Sequence, residues 1–112
     1  MAPTVWYHVR DLDEGRRFYT RTLGFLETYF DAEGRWARLC RGAMEIGLAE
    51  GEPAEGGVAH VDVEDVKAEA ERLRAAGVNV GVVLEIPGTI RLLDVFDPDG
   101  NRVQLAEELS SD

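Results

Sequence analysis

Cysteine, histidine and proline are scarce in this 112-residue chain, which holds one, two and four of them respectively. A lone Cys40 excludes an internal disulfide and fits a reducing cytoplasm, where its expected role is that of a small buried hydrophobe. No apolar run approaches the roughly 18 residues of a membrane span. The opening Met-Ala-Pro-Thr carries no basic and apolar stretch of the secretory kind, so a cytoplasmic location is expected. Basic residues are outnumbered: Lys plus Arg is 12 against 22 for Asp plus Glu, a net charge of −10. That balance argues against nucleic acid and anionic membranes as partners, since both need a basic face. It suits a cationic ligand, and equally plain acidic solubility. A Gly-rich phosphate loop, a nucleophile elbow and a close Cys–His pair are all missing. Ser110 and Ser111 fall in a polar tail.

What is present reads as one domain, residues 1–112, with 45% apolar residues, enough for a real core. Val5–Val9 is β-branched and aromatic, a strand with Val5, Tyr7 and Val9 on one face and Thr4, Trp6 and His8 on the other. Asp11 or Asp13 caps a helix over about 12–23, closed by Gly24. Leu26–Phe30, Arg35–Arg41 and Ala43–Ala49 read as three more strands. The segment 51–57, Gly-Glu-Pro-Ala-Glu-Gly-Gly, is the one linker-like stretch. The order then restarts: strand Val58–Val63, a cap at Glu64-Asp65, helix 66–76 ending at Gly77, an apolar β-rich run Val78–Ile86, and a closing hairpin.

Setting Val9-Arg-Asp-Leu12 on Val63-Glu-Asp-Val66 gives an offset of 54 residues, and Gly24 and Gly77 lie 53 apart. The chain is thus an α+β duplication: module 1 at about 1–50, module 2 at about 58–107, and a tail at 108–112. Each unit is βαβββ, with its helix on one sheet face and the other faces left to line a ligand trough. In the closing hairpin, Asp97-Pro-Asp-Gly-Asn101 has tight-turn chemistry: Pro98 presets φ, Asp97 accepts from the turn backbone, and Gly100 supplies φ > 0. Alternation after the turn sets Val103 and Leu105 on one face and Arg102, Gln104 and Ala106 on the other.

Three segments together resemble the vicinal-oxygen-chelate superfamily of glyoxalases, extradiol dioxygenases and bleomycin-resistance proteins. They are Val9-Arg-Asp-Leu-Asp…Phe18-Tyr19…Leu23-Gly24-Phe25, Val61-Asp-Val-Glu-Asp…Ala76-Gly77-Val78, and Phe96-Asp-Pro-Asp-Gly-Asn101…Val103-Gln104-Leu105. The resemblance implies paired βαβββ units, a cavity on the concave faces and a homodimer. It also implies, in metal-using members, four ligand positions. Here the first falls on Thr4, the third on Val58 and the last on Gln104, while the second lies within Met44–Leu48, whose acid is Glu45. Valine donates nothing, threonine is a poor ligand and a glutamine amide binds weakly, so no cofactor is expected at that site.

The alternative is a divalent ion at a shifted site made from His8, His60, Glu45 and Gln104. The 54-residue offset pairs His8 with Asp62, however, so the histidines are out of register, and His8 lies about 13 Å along the strand from the first ligand position. Alternation around Ala37 and Leu39 puts Trp36, Arg38 and Cys40 on the face away from the core. The expected ligand site therefore joins Trp6, His8, Trp36, Arg38, His60, Asp62 and Gln104, with the tryptophans stacking on an aromatic or cationic small molecule. Metal-free bleomycin-resistance proteins resemble this profile, and a binding or sequestering protein is the leading expectation. A metal-dependent lyase, isomerase or dioxygenase, or a metal-free enzyme using a histidine base, are the competing ones.

Overall fold

In the computed structural model, residues 4–54 and 56–109 are described. Met1–Pro3, Glu55 of the linker, and both tail serines lie outside the described residues. The chain runs β1 Val5–Val9, α1 Leu12–Arg17, a π-helical turn Phe18–Thr22, β2 Leu26–Asp31, β3 Trp36–Arg41 and β4 Met44–Glu50. The second module follows as β5 Ala59–Asp62, α2 Val66–Ala75, β6 Asn79–Val80, β7 Leu84–Ile86, β8 Ile90–Phe96 and β9 Arg102–Glu108. Two mixed sheets result, ordered β1-β4-β3-β2 and β5-β9-β8-β6, with β7 also paired to β8. Each sheet has its one parallel pair where the first strand of a module meets the last. This is the expected α+β duplication.

Local chemistry explains how each module starts. Asp11 Oδ1 accepts from the Glu14 amide at 3.1 Å and Asp65 Oδ1 from Ala68 at 3.0 Å, capping the two helices. A glutamate on the last strand of each module completes the helix N-terminus: Glu50 accepts from Leu12 N at 3.1 Å, and Glu107 from Val66 N at 3.0 Å. Gly24 and Gly77 take φ of 73° and 80°, the left-handed C-terminal conformation their spacing predicts.

Three expected elements differ. The first helix is not α-helical throughout: its second half widens into a π turn in which the Leu23 amide bonds Phe18 O at 3.1 Å. The wide turn carries the fully buried Tyr19, whose hydroxyl reaches Asp97 of the other module at 2.8 Å. The long β-rich run of the second module splits into β6 and β7, which pair with opposite ends of β8 out of register by one residue. Both outer strands carry such an irregularity, since β2 also shifts by one residue around Thr28. The expected tail begins too early, because Glu108 still belongs to β9 and the Leu109 amide bonds Thr89 O at 2.9 Å.

The helix-side faces build one continuous core from Tyr7, Val9, Leu12, Tyr19, Leu39, Ile46 and Leu48 in the first module and Val61, Leu73, Leu93, Val103 and Leu105 in the second. Polar clamps cross between modules. The Tyr7 hydroxyl accepts from the Ala59 amide at 2.8 Å and donates to Arg102 O. Buried Asp97 receives Tyr19, the Asn101 amide group at 2.9 Å and the backbone of its own turn, while Asn101 Nδ2 also donates to His8 O at 2.9 Å. The turn after Asp97 therefore ties the second module to the first strand. Burial pushes the Tyr7 hydroxyl up to about 12 and Tyr19 in the same direction, because neither can ionise without placing charge in the core.

Candidate functional site

Strand register sorts the side chains facing away from the helices into rows. On the first sheet, Trp6, Gly47, Arg38 and Tyr29 lie side by side across β1, β4, β3 and β2. The next row is His8, Ala49, Trp36 and Asp31. On the other side of the middle row, Glu45 and Cys40 are paired, followed by Leu26, and Thr4 donates to Glu45 Oε1 at 2.6 Å. Trp6, His8, Trp36 and Arg38 thus share one face as alternation predicts. Cys40 is half-buried on this open face rather than in the core.

The centre of the face is bare backbone. A Cβ built on Gly47 would sit 2.4 Å from Trp6 Cε3, so the indole of Trp6 occupies the space a side chain at residue 47 would fill. Trp6 then meets Trp36 with ring centres 5.8 Å apart and planes at 59°, and Tyr29 meets Trp36 at 4.9 Å and 39°. Asp31 Oδ2 accepts the Trp36 Nε1–H at 3.1 Å and Oδ1 accepts from the Gly34 amide at 2.8 Å, which fixes the indole. Arg38 extends over Trp36, its guanidinium carbon 5.6 Å from the ring. The platform remains open: Trp6 is 44% exposed, Tyr29 50% and Leu26 67%.

The second sheet presents a different surface. His60, Gln104 and Asp94 form its middle row across β5, β9 and β8. Gln104 Nε2 donates to Asp94 Oδ1 at 3.3 Å, which leaves the amide oxygen for His60 Nδ1 at 3.2 Å. The ring is thereby tethered through Nδ1, and Nε2 lies 3.9 Å from Asp62 Oδ1. Arg102 Nη1 closes the chain on Asp94 Oδ2 at 3.4 Å. On β7, Leu84 lies one row further on, paired with Leu92, and Ile86 two rows on, paired with Ile90; both are exposed.

The structure groups the predicted residues in two sets. Trp6, His8, Trp36 and Arg38 lie on the first sheet; His60, Asp62 and Gln104 lie on the second. Asp62 does not flank the aromatic wall, because the recess it lines with His60, about 120 Å³, is shared with Arg41–Met44. A larger recess, about 540 Å³, lies elsewhere, between α2 and the helix-side face of β8 and β9. Its Arg91 is already committed to Glu85 at 2.7 Å and Glu107 at 3.4 Å.

Register also locates the implied metal positions. Val5 pairs with Ile46 as Ala59 pairs with Val103, so the counterpart of Gln104 in the first module is Gly47, and that of His60 is Trp6. Glu45 faces outward but lies two residues away, bonded to Thr4. Among the described residues no three His, Cys, Asp or Glu side chains gather in a way that could hold a metal ion. The set Thr4, Gly47, Val58 and Gln104 does not fit a divalent cation, since it offers one hydroxyl and one amide, both already engaged.

Sequence reasoning missed Gly47, Tyr29, Asp31 and Asp94. An isolated glycine inside the strand Met-Glu-Ile-Gly-Leu-Ala-Glu was a readable sign of close approach. Tyr29 was hidden, because the irregularity at Thr28 puts Leu26 and Tyr29 on the same face despite their odd separation.

A family model described as the glyoxalase/bleomycin resistance protein/dioxygenase superfamily matches residues 3–105. None of the curated proteins matches the chain. Among solved structures, it is similar to TnmS3, an antibiotic-binding protein from Streptomyces sp. CB03234, at 24% identity and TM-score 0.76, covering 96% of this chain and 97% of that one. It is similar to a bleomycin resistance determinant encoded on the transposon Tn5, at 19% identity and TM-score 0.75, covering 96% and 98%. It is also similar to a lactoylglutathione lyase from Agrobacterium tumefaciens, at 19% and TM-score 0.74, covering 96% and 92%. Likenesses at these identities establish the shared fold.

Proposed function

The chain belongs to the glyoxalase/bleomycin resistance protein/dioxygenase superfamily, and from that premise we propose that it binds and sequesters a partly aromatic small molecule without a metal ion. One observation carries the reading: Trp6 lies on bare Gly47, at the register position where Gln104 stands in the second module, and there builds a platform with Trp36 and Tyr29. An exposed aromatic surface of this kind has the chemistry to stack on a planar ligand. The poor donor set at the implied metal positions supports metal independence. An antibiotic-binding protein and a resistance determinant with the same fold support sequestration over turnover.

The protein works, in this reading, as a cytoplasmic homodimer. Its aromatic face is open within one chain, as are Val82, Leu84 and Ile86 at 72%, 58% and 55% exposure in the second module. A second copy placing its second module over this platform would enclose the ligand and unite the two sets of site residues. Titration with planar aromatic antibiotics, followed by tryptophan fluorescence and sedimentation, tests it. Saturable quenching by a dimer, weakened about tenfold or more by Trp6→Ala or Trp36→Ala, is expected. A flat response across the panel sinks the reading.

A second reading, an enzyme, is favoured by the His60–Gln104–Asp94 chain, which tethers an exposed imidazole through one nitrogen and leaves the other for a general-base role. A lyase of the same fold keeps it in view. Its metal-dependent form requires rearranged ligands from His8, His60 and Glu45. Stoichiometric Zn²⁺, Ni²⁺, Mn²⁺ or Fe²⁺ retained by the purified protein and lost with His60→Ala would overturn metal-independent binding.

A further inference from the structure

The platform on the first sheet carries unequal hydrogen-bonding demands. Its acids are satisfied: Asp31 accepts from Trp36 and the Gly34 amide, and Glu45 accepts from Thr4. Its one cation is not. Of the strand arginines, Arg41 donates to Leu23 O at 2.8 Å, Arg91 to Glu85 at 2.7 Å and Arg102 to Asp94 at 3.4 Å. Arg38 makes no side-chain hydrogen bond among the described residues, and its nearest acid, Glu45, is 3.9 Å from Nε. That Nε is enclosed and unpartnered, alone among the buried side-chain nitrogens and oxygens of the described residues. Such a group is costly to leave unmet. The guanidinium stands in the middle row between Gly47 and Tyr29, beside the rings of Trp36 and Trp6, with 43% of its side chain exposed.

We propose that the ligand of this platform is a planar aromatic acid, its ring stacked on Trp36 and Trp6 and its carboxylate received by Arg38. The proposal rests on the aromatic-binding reading above and deepens it. It also reverses the expectation of a cationic ligand, which the net charge of −10 invited. Guanidinium offers five donors in a plane and pairs two of them with one carboxylate, a geometry that Lys cannot reproduce. A ligand ring stacked on the indoles would cover the cation and exclude water from it, so its pairing with a carboxylate would be stronger than in open water. A ligand ammonium placed there would meet a like charge.

The experiment compares 2-naphthoate with the isosteric neutral 2-naphthamide, by calorimetry and by ¹⁵N shifts of the tryptophan Nε1–H and Arg38 Nε–H groups in the full chain. Naphthoate is expected to bind about tenfold more tightly than the amide and to shift both kinds of resonance. Arg38→Gln should equalise the two ligands, and Arg38→Lys should restore part of the preference. Retained circular dichroism and thermal midpoint in both variants show that the fold is intact; should Arg38→Gln not fold, Arg38→Lys and the Nε–H shift in the native protein decide. Equal affinity for the two ligands in the native protein, or a preference that survives Arg38→Gln, overturns the proposal while the aromatic platform stands. Failure of both ligands to bind or to shift the tryptophans overturns the proposal and the platform together.

Discussion

In the first module the middle row of the open face carries Trp6, Gly47 and Arg38; the matching row of the second carries His60, Gln104 and Asp94. Under these rows the supports are nearly identical. Asp11 and Asp65 cap the helices, Glu50 and Glu107 hold the first helical amides, and a left-handed glycine ends each helix. Two copies of one scaffold thus present an aromatic surface whose cation makes no side-chain hydrogen bond among the described residues and a polar surface with a tethered imidazole. The difference teaches which positions the scaffold constrains. Caps and core faces are held by burial and by orphan helix amides, whereas the open rows are free to change chemistry.

The comparison can be broken most forcefully at Gly47. Replacing it with Leu forces a side chain into the space of the Trp6 ring, and overpacking should cost about 1–3 kcal/mol. Aromatic-ligand affinity should fall about tenfold or more, read by fluorescence titration and chemical denaturation. Gln104→Gly at the matching position should weaken aromatic binding far less, since no ring lies on it; equal losses in the two variants would erase the asymmetry.

Next comes the join between modules. Tyr7→Phe removes the acceptor of the buried Ala59 amide and should cost about 1–3 kcal/mol in denaturant unfolding. The tyrosine also sets an alkaline limit. Its hydroxyl is held up to about 12 by burial, above its ordinary value, so the protonated form belongs to the folded state. Its contribution is complete below about pH 10 and lost as pH rises through 12, by about 3 kcal/mol. Stability measured from pH 9 to 12 should fall, and fall less steeply in Tyr7→Phe.

The smallest effect is expected at Gln104→Glu, which restores an acid at an implied ligand position. It replaces the donor to Asp94 with a like charge and should cost about 1 kcal/mol. Because Gly47 and Val58 still offer no donor, metal analysis should find no stoichiometric ion; a retained ion would show that the second module alone suffices.

Much of this protein was legible in its sequence because the signals are local. The duplication, both helix caps, the Asp97–Asn101 turn and the faces of β1, β3 and β9 follow from periods, offsets and turn chemistry within a few residues. Trp6, His8, Trp36 and Arg38 share a face because strands alternate. Tertiary structure decided the rest. Strand register, set by which rows can pack, matched Trp6 with His60 and Gly47 with Gln104. A one-residue irregularity in β2 turned Tyr29 outward beside Trp36, and a π turn carried Tyr19 to Asp97. These depend on pairings between residues tens of positions apart, which no local period encodes. The sequence by itself determined the scaffold and the residues that could meet a ligand; only the packed chain decided that the aromatic ones meet each other over a bare backbone, because an indole fills that space only when a distant strand places a glycine beneath it.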